Sequence, residues 1–184
     1  MDRYADGDEA AFAEVYDQLA PRLFSFFVRQ TRDRARAEDL VQQTLLQIHV
    51  ARGHFVRGSD PLPWAYCIGR RLMIDSHRRT KREVLFDSAE DDAAALDLGV
   101  SRDTNPQELA SAKQLAQRVD DELSKLSEPQ RAAYTLVRQE GLSVAQAAEV
   151  LGTTPGAIKV RAHRVYEALR AVLGVGRNDE QEIE

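Results

Sequence analysis

Apolar residues recur at helical spacing along most of this chain. Between residues 8 and 28 they fall three or four positions apart, and Pro21 interrupts the run, which predicts two helices or one kinked helix. Residues 35–51 and 62–82 repeat the pattern opposite a polar face. Alternating runs of β-branched residues between turn signals, which would indicate strands, do not occur in the sequence. The pattern predicts an all-α fold.

Two short helices joined by a turn of a few residues are predicted between residues 143 and 173. Ser143 and Gln146 have the spacing of a capping box that begins the first helix, and Gly152 ends it. Thr154 and Pro155 favour the start of the second, since a hydroxyl caps free N–H groups and proline suits the first turn. The pair is typical of a helix-turn-helix. Its second helix has an inward apolar stripe comprising Ile158, Ala162, Val165 and Leu169.

The opposite face of that second helix is basic. It carries Lys159, His163, Arg164 and Arg170, whose donors suit base edges and phosphates in a major groove. An ordinary helical hairpin with a solvated charged face is the alternative. The tight turn and the small residues at the helix crossing, together with this basic face, favour DNA binding.

The charge of the chain is unevenly distributed. The formal net charge of the 184 residues is −5, and residues 87–126 hold ten acidic and four basic side chains. The stretch from 70 to 82 has six Lys or Arg residues against one Asp. Because salt screens exposed charges beyond about 8 Å, this local basic field matters more to a phosphate backbone than the net charge does.

The composition divides the chain into two small helical domains. A helical domain over 1–86 is followed by a flexible acidic linker over 87–106, where small and acidic residues show no periodicity. A second helical domain over 107–175 contains the helix-turn-helix, and the charged tail over 176–184 is expected to be disordered.

Several function classes lack their sequence signals. The four histidines are scattered, the single cysteine is Cys67, and neither a Gly-rich phosphate loop nor a hydrolase motif occurs, so we expect no enzyme, metal site or cofactor. A buried, inert thiol is the expected role of Cys67. No apolar run approaches the roughly 20 residues of a membrane span, and the N-terminus is unlike a secretory signal, which predicts a cytoplasmic protein.

Two further segments point to partners. A Gly- and Pro-containing loop over 52–63 precedes the basic helix, a combination suited to separated DNA strands, although Trp64 is expected to be more core than stacking platform. The helix over 35–51 has a polar face with little positive charge. That face suits a protein partner better than DNA, the alternative being a merely solvated surface.

Three segments in this order resemble the extracytoplasmic-function (ECF) class of bacterial RNA polymerase sigma factors. They read AEDLVQQTLLQI, then PWAYCIGRRLMIDSHRR, then SEPQRAAYTLVRQEGLSVAQAAEVLGTTPGAIKVRAHRVYEALR. The resemblance covers nearly the whole chain apart from the middle and the last few residues. It implies a non-catalytic specificity subunit that binds core RNA polymerase, recognises two promoter elements and promotes promoter opening and transcription initiation.

The resemblance also implies roles for individual residues. The first domain would contact the clamp helices of the largest polymerase subunit, through Asp39, Leu40, Gln42, Gln43 and Leu46. This sequence departs from the usual family pattern at Gln43, Gln47 and His49. The same domain would melt and read the minus-ten element, with a surface comprising Ser59, Asp60, Trp64, Arg70, Arg71, Asp75, Arg78 and Arg79.

The second domain would read the minus-thirty-five element and contact the flap of the second-largest subunit. Its implied DNA-binding positions are Pro155, Gly156, Lys159, Val160, Arg161, His163 and Arg164. The family further implies an anti-sigma partner, which could hold the protein at a membrane without insertion. A conventional dimeric helix-turn-helix regulator is the alternative function, but it leaves the basic helix over 70–82 unexplained.

Overall fold

The computed structural model describes residues 1–84 and 106–174, in which every regular element is helical. The α-helices are α1 (Asp2–Ala5), α2 (Phe12–Thr31), α3 (Arg34–Ala51), α4 (Pro61–Val84), α5 (Pro106–Lys125), α6 (Glu128–Tyr134), α7 (Val144–Leu151) and α8 (Pro155–Leu173). Short 3-10 turns precede α2 and follow α3, and a π-helix, Thr135–Gln139, extends α6. The predicted all-α fold with two helical domains is confirmed. The 87–106 linker, except for its last residue, and the 176–184 tail lie outside the described residues.

The first unit packs α2, α3 and α4 around a core of buried aromatic and aliphatic residues. Residues 12–31 form one continuous helix with Pro21 inside it, so of the two predicted forms the single helix is the one observed. Leu19 and Leu23 are fully buried on either side of Pro21. Burying this continuous stripe compensates for the hydrogen bond that proline cannot donate.

The second unit consists of α5 to α8, and the helix starts and stops predicted for its helix-turn-helix are observed. Ser127 and Gln130 form a capping box at α6, and Ser143 and Gln146 form another at α7. Gly152 ends α7 in the left-handed conformation, φ 58°, and Thr154 caps α8 through the backbone N–H of Ala157 at 3.2 Å. Helix α8 packs on α5, α6 and α7 through buried Ile158 and its stripe.

The two units pack against each other. Helix α4 of the first unit lies on α7 of the second, and α2 lies on α6. One contiguous set of buried apolar side chains runs through both, from Phe27 and Tyr66 to Ala147 and Leu151. The sequence does not predict this arrangement. The helices of each unit are amphipathic and can bury their apolar faces within that unit, so their pattern gives no sign of a contact between the units.

Among the glycines of the described residues, Gly69 of α4 is the one whose added Cβ atom would meet neighbouring atoms. A Cβ atom there would lie 2.5 Å from Cζ of Phe27 and 3.1 Å from Oγ1 of Thr44. Both neighbours are fully buried, and the Thr44 hydroxyl is fixed by a 2.6 Å hydrogen bond to the Leu40 carbonyl oxygen. Only glycine lets α4 sit at this distance from α2 and α3.

We expect Gly69→Ala to lower the free energy of unfolding by about 1–3 kcal/mol, because the new methyl group overpacks a core that cannot yield. Gly156→Ala is the matched control: it also lies in a helix, but its Cβ would meet nothing within 4 Å. There the higher helix propensity of alanine should make the change neutral or stabilising. Urea unfolding of both variants measures the difference, and equal midpoints would contradict the close packing at Gly69.

Candidate nucleic-acid and polymerase interfaces

Helix α8 presents a basic face to solvent. Its buried stripe, Ile158, Val165 and Leu169, fixes the rotation of the helix. Most of the predicted minus-thirty-five positions then lie on the exposed side, while Arg161 is half-buried. The exposed positions are Pro155, Gly156, Lys159, Val160, His163 and Arg164. This face has the shape and charge of a recognition helix, and the reading role of its residues stays a prediction.

Arg170 does not belong to that face, so its predicted outward projection is wrong. Its side chain is only 11% exposed and pairs with Glu167 at 3.8 Å. The guanidinium lies 5.8 Å from the ring centroid of Tyr166, and Arg138 approaches the same ring at 6.0 Å. The Tyr166 ring therefore lies close to two guanidinium groups, those of Arg138 and Arg170, on the side of α8 that adjoins the π-helix.

The loop between α3 and α4 carries two predicted minus-ten residues, and both side chains have local structural roles. The Ser59 hydroxyl donates to the Val56 carbonyl oxygen at 2.5 Å, and Asp60 Oδ1 accepts the Leu62 backbone N–H at 3.0 Å. Both remain exposed. Trp64 is half-buried, its ring 5.3 Å from the buried ring of Phe55, which confirms its core role.

The basic side chains of α4 are divided between solvent and the other unit. Arg71 and Arg78 are exposed and Asp75 is half-buried, while the side chain of Arg79 lies outside those described. Arg70 is 17% exposed and lies 3.8 Å from the Glu128 carboxylate at the start of α6. In this arrangement Arg70 is therefore covered by the helix-turn-helix unit rather than available to DNA.

Helix α3 turns its polar face outward. Asp39, Gln42 and Gln43 are exposed, and Gln43 donates to Asp39 at 2.7 Å. Leu46 is 60% exposed at the centre of this face. Leu40 is fully buried, so its predicted contact with polymerase is wrong: the side chain packs in the core and leaves no surface for a partner.

Sequence reasoning missed one residue of this face. Val50 lies one helical turn beyond Leu46 and is 67% exposed. An apolar residue four positions after another, outside the buried stripe, was the signal that could have found it. Leu46 and Val50 together make a small apolar patch beside the acidic and amide groups of α3.

A second ion pair joins the two units, between Arg22 and Glu140. Arg22 of α2 donates from Nε to Oε2 of Glu140 at 2.9 Å and from Nη2 to the Glu140 backbone carbonyl. Glu140 directly follows the π-helix, and its side chain is only 6% exposed. The two residues are 118 positions apart, so no local pattern in the sequence indicates that they meet.

Two titratable groups of α4 lie at the same contact. Burial raises the pKa of the Tyr66 hydroxyl, and the neighbouring Glu140 carboxylate raises it further. Burial also raises the pKa of the Cys67 thiol, and Glu149 of α7 adds to that increase. Both groups are therefore neutral at physiological pH, and the expected inert character of Cys67 agrees with its surroundings.

The described residues hold no cluster of three or more potential metal ligands. None of the helices described is both long and apolar enough to cross a bilayer.

The chain matches two family models, and it does so in the order of its units. Residues 15–83 match the model described as Sigma-70 region 2, and residues 116–169 match Sigma-70, region 4. RNA polymerase sigma factor CarQ of Myxococcus xanthus is 33% identical over 174 residues, which are 95% of either chain. The ECF RNA polymerase sigma factor SigF of Caulobacter vibrioides is 35% identical over 180 residues, covering 92% of this chain and 89% of its own.

A solved structure shares the fold across both units. The sigma factor RpoE of Bartonella quintana, in complex with the anti-sigma factor NepR, superposes with a TM-score of 0.75 at 26% identity. The match covers 90% of this chain and 98% of RpoE.

Two packed helical units, one of them a helix-turn-helix, together with these relatives define a transcription initiation factor of the sigma-70 family. The chain belongs to the ECF RNA polymerase sigma factors. It is thus a DNA-recognition factor and not an enzyme, and the family resemblance carried by the three sequence segments is confirmed. The conventional dimeric regulator is no longer needed as an alternative.

Cys67 gives a direct measure of the contact between the units, because it is the only cysteine. Arg22→Ala leaves the buried Glu140 carboxylate unpaired, which should weaken the contact by on the order of 1–2 kcal/mol. Cys67 is half-buried in the packed arrangement. Opening exposes it further and lowers its raised pKa, so alkylation at neutral pH should accelerate, by at most roughly 5- to 30-fold. Arg34→Ala, which breaks an ion pair with Glu38 inside α3, is the control. Unchanged alkylation in the Arg22 variant would show that the ion pair does not hold the units together.

Proposed function

We propose that the two units divide promoter recognition and polymerase binding between them. The unit within residues 1–86 binds core RNA polymerase and the minus-ten element. The unit within 107–175 binds the minus-thirty-five element, and residues 87–106 link them, with 176–184 as a tail. The observation that carries this proposal is the exposed basic face of α8, held outward by the buried stripe of Ile158, Val165 and Leu169.

In the minus-thirty-five complex, the first turns of α8 enter the major groove. Lys159 and Arg164 are exposed cations on that face and have the donors that guanine O6 and N7 accept. Pro155, Gly156, Val160 and His163 approach the same groove, and the half-buried Arg161 lies nearer the phosphate backbone.

In the minus-ten complex, separated strands lie along the loop before α4 and the basic side of α4. Arg71 and Arg78 are exposed and suit phosphates. Ser59 and Asp60 keep hydrogen-bonding capacity beyond their local bonds and suit a base edge. Trp64 supports the loop from beneath, and Arg70 joins the surface only when its pairing with Glu128 opens.

Core polymerase binds the outward face of α3, where Asp39, Gln42, Gln43 and Leu46 meet the clamp helices of its largest subunit. The support is a small exposed apolar patch within a polar, non-basic face, the composition of a protein interface. The second unit contacts the flap of the second-largest subunit.

An anti-sigma factor binds the packed arrangement and keeps the protein from polymerase. The overall similarity to RpoE, whose structure is a complex with NepR, supports this partner. The protein acts in the cytoplasm, where its promoters are, and an anti-sigma factor anchored in a membrane would hold it there without insertion of this chain.

The decisive experiment is co-purification with bacterial core RNA polymerase followed by run-off transcription on a promoter library. We expect a stable complex that selects a two-part promoter motif. Absence of a complex, or a complex that selects no element, would overturn the proposed function.

Separate variants should divide the two activities. Lys159→Ala or Arg164→Ala should weaken promoter binding by about 1–3 kcal/mol where the contact is to a base, and leave polymerase binding intact. The double variant Asp39→Ala with Leu46→Ala should weaken binding to core polymerase and leave the contact with promoter DNA intact. Gel-shift titration with holoenzyme and fluorescence anisotropy with core polymerase measure the two affinities.

The control for the DNA variants is Lys125→Ala, which removes the same charge from α5, where Lys125 pairs with Glu122 at 2.8 Å. Its promoter affinity should stay close to that of the unchanged protein. Equal losses of both activities in every variant would instead indicate unfolding and would contradict the division of roles.

A further inference from the structure

The N-terminal residues hold the loop between α3 and α4 by a set of directed polar contacts. Arg57 of the loop donates from Nε and Nη2 to Oδ1 of Asp6, at 3.0 and 2.7 Å, and from Nη2 to the Ala5 carbonyl oxygen at 3.2 Å. The next residue, Gly58, directs its backbone N–H to the Asp2 carboxylate, 3.2 Å from either oxygen. Two successive loop residues are therefore tied to one short helix at the chain start.

That short helix is itself fixed to the core. Tyr4 is buried between the N-terminal segment and α3, and its hydroxyl is hydrogen-bonded to Nδ1 of His49 at 2.5 Å. The ring packs 5.5 Å from that of Phe12, and the Arg52 guanidinium lies 5.6 Å from its centroid. The loop is thus braced against a helix that is itself anchored in the core by Tyr4.

The braced loop offers one apolar side chain to solvent. Ser59 closes a turn by donating its N–H and hydroxyl to the Val56 carbonyl oxygen, and Gly58 takes φ 75° within it. Phe55, before Val56, is buried under Trp64, and Arg57, after it, is held by Asp6. Val56 itself is 72% exposed, so the backbone on both sides fixes an apolar group that nothing in the described protein covers.

We propose that Asp2 and Asp6 are positioning residues for promoter selectivity, which hold the Val56–Asp60 loop in the shape that presents Val56 to an unstacked base of the minus-ten element. The inference rests on the proposed function and adds residues that neither the sequence segments nor the basic surface indicate. A flipped base is discriminated by a pocket of fixed shape, so loosening the loop lets the wrong bases fit as well.

The exposure of these contacts makes the proposal testable without unfolding. The Asp6–Arg57 pair has both side chains about half exposed, and such pairs contribute little to global stability. Asp2→Ala with Asp6→Ala should therefore leave the thermal midpoint close to that of the unchanged protein, while amide exchange at Gly58 accelerates about tenfold or more.

The functional measurement is run-off transcription by the holoenzyme on libraries randomised in each promoter element separately. In the double variant we expect the preference for the best minus-ten base at one position to fall roughly 3- to 10-fold, because only part of the loop population is competent to discriminate. The minus-thirty-five preference and the affinity for core polymerase should not change. Val56→Ser should alter the same minus-ten position without accelerating Gly58 exchange.

Glu14→Ala is the matched control, since Glu14 forms an exposed ion pair with Arg3 at 2.9 Å within the N-terminal segment and α2. It should change neither the exchange nor the selectivity. Faster Gly58 exchange with unchanged minus-ten selectivity would overturn this inference and leave the proposed function intact. Unchanged Gly58 exchange would also overturn it, because it would show that Asp2 and Asp6 do not hold the loop. If the unchanged protein selects no promoter with core polymerase, the proposed function fails, and the inference with it.

Discussion

The near-contact of the Gly69 backbone with the Phe27 ring sets the spacing of the first unit. It brings α4 onto α2 and α3 closely enough that their stripes merge in one core, and the Thr44 hydroxyl lies 3.1 Å from the position that a Cβ atom of residue 69 would take. Each helix has one buried apolar stripe, so the packing of that stripe also determines which residues are exposed on the opposite face. The polar face of α3 and the basic side of α4 therefore face solvent, because the opposite sides of these helices are buried in the core.

The same constraint explains why the candidate surfaces differ in character. Helix α3 buries Leu40 and Ile48 and leaves Leu46 outward, so its free face combines amides, a carboxylate and a small apolar patch. Helix α8 buries Ile158 and Val165 and leaves cations outward. In both helices the buried apolar stripe decides which residues face outward, and those outward residues suit a protein in α3 and a nucleic acid in α8.

Local signals in the sequence predict most of this fold. The capping boxes at Ser127 and Ser143 and the glycine after α7 involve residues three to nine positions apart, so short-range chemistry suffices to place them. The helical spacing of Leu40 and Ile48 predicts their burial, whereas the cover over Arg70 was missed, since it depends on which distant helix lies on α4. The contacts of the N-terminal residues with the loop were not predicted for the same reason, because they join residues about 50 positions apart.

The contact between the units differs from either core in its polar content. Beside the Arg22–Glu140 pair, Nε of Arg70 and Oε1 of Glu128 are buried without a hydrogen-bond partner in the described protein. Burying such groups costs free energy that the neighbouring apolar contacts must offset, so the net stability of the contact is smaller than its area implies. Separating the units lets water satisfy these groups, which lowers the cost of opening. Under the proposed exchange of an anti-sigma partner for polymerase and DNA, a charged and incompletely paired contact suits a packed state that is specific and easily opened.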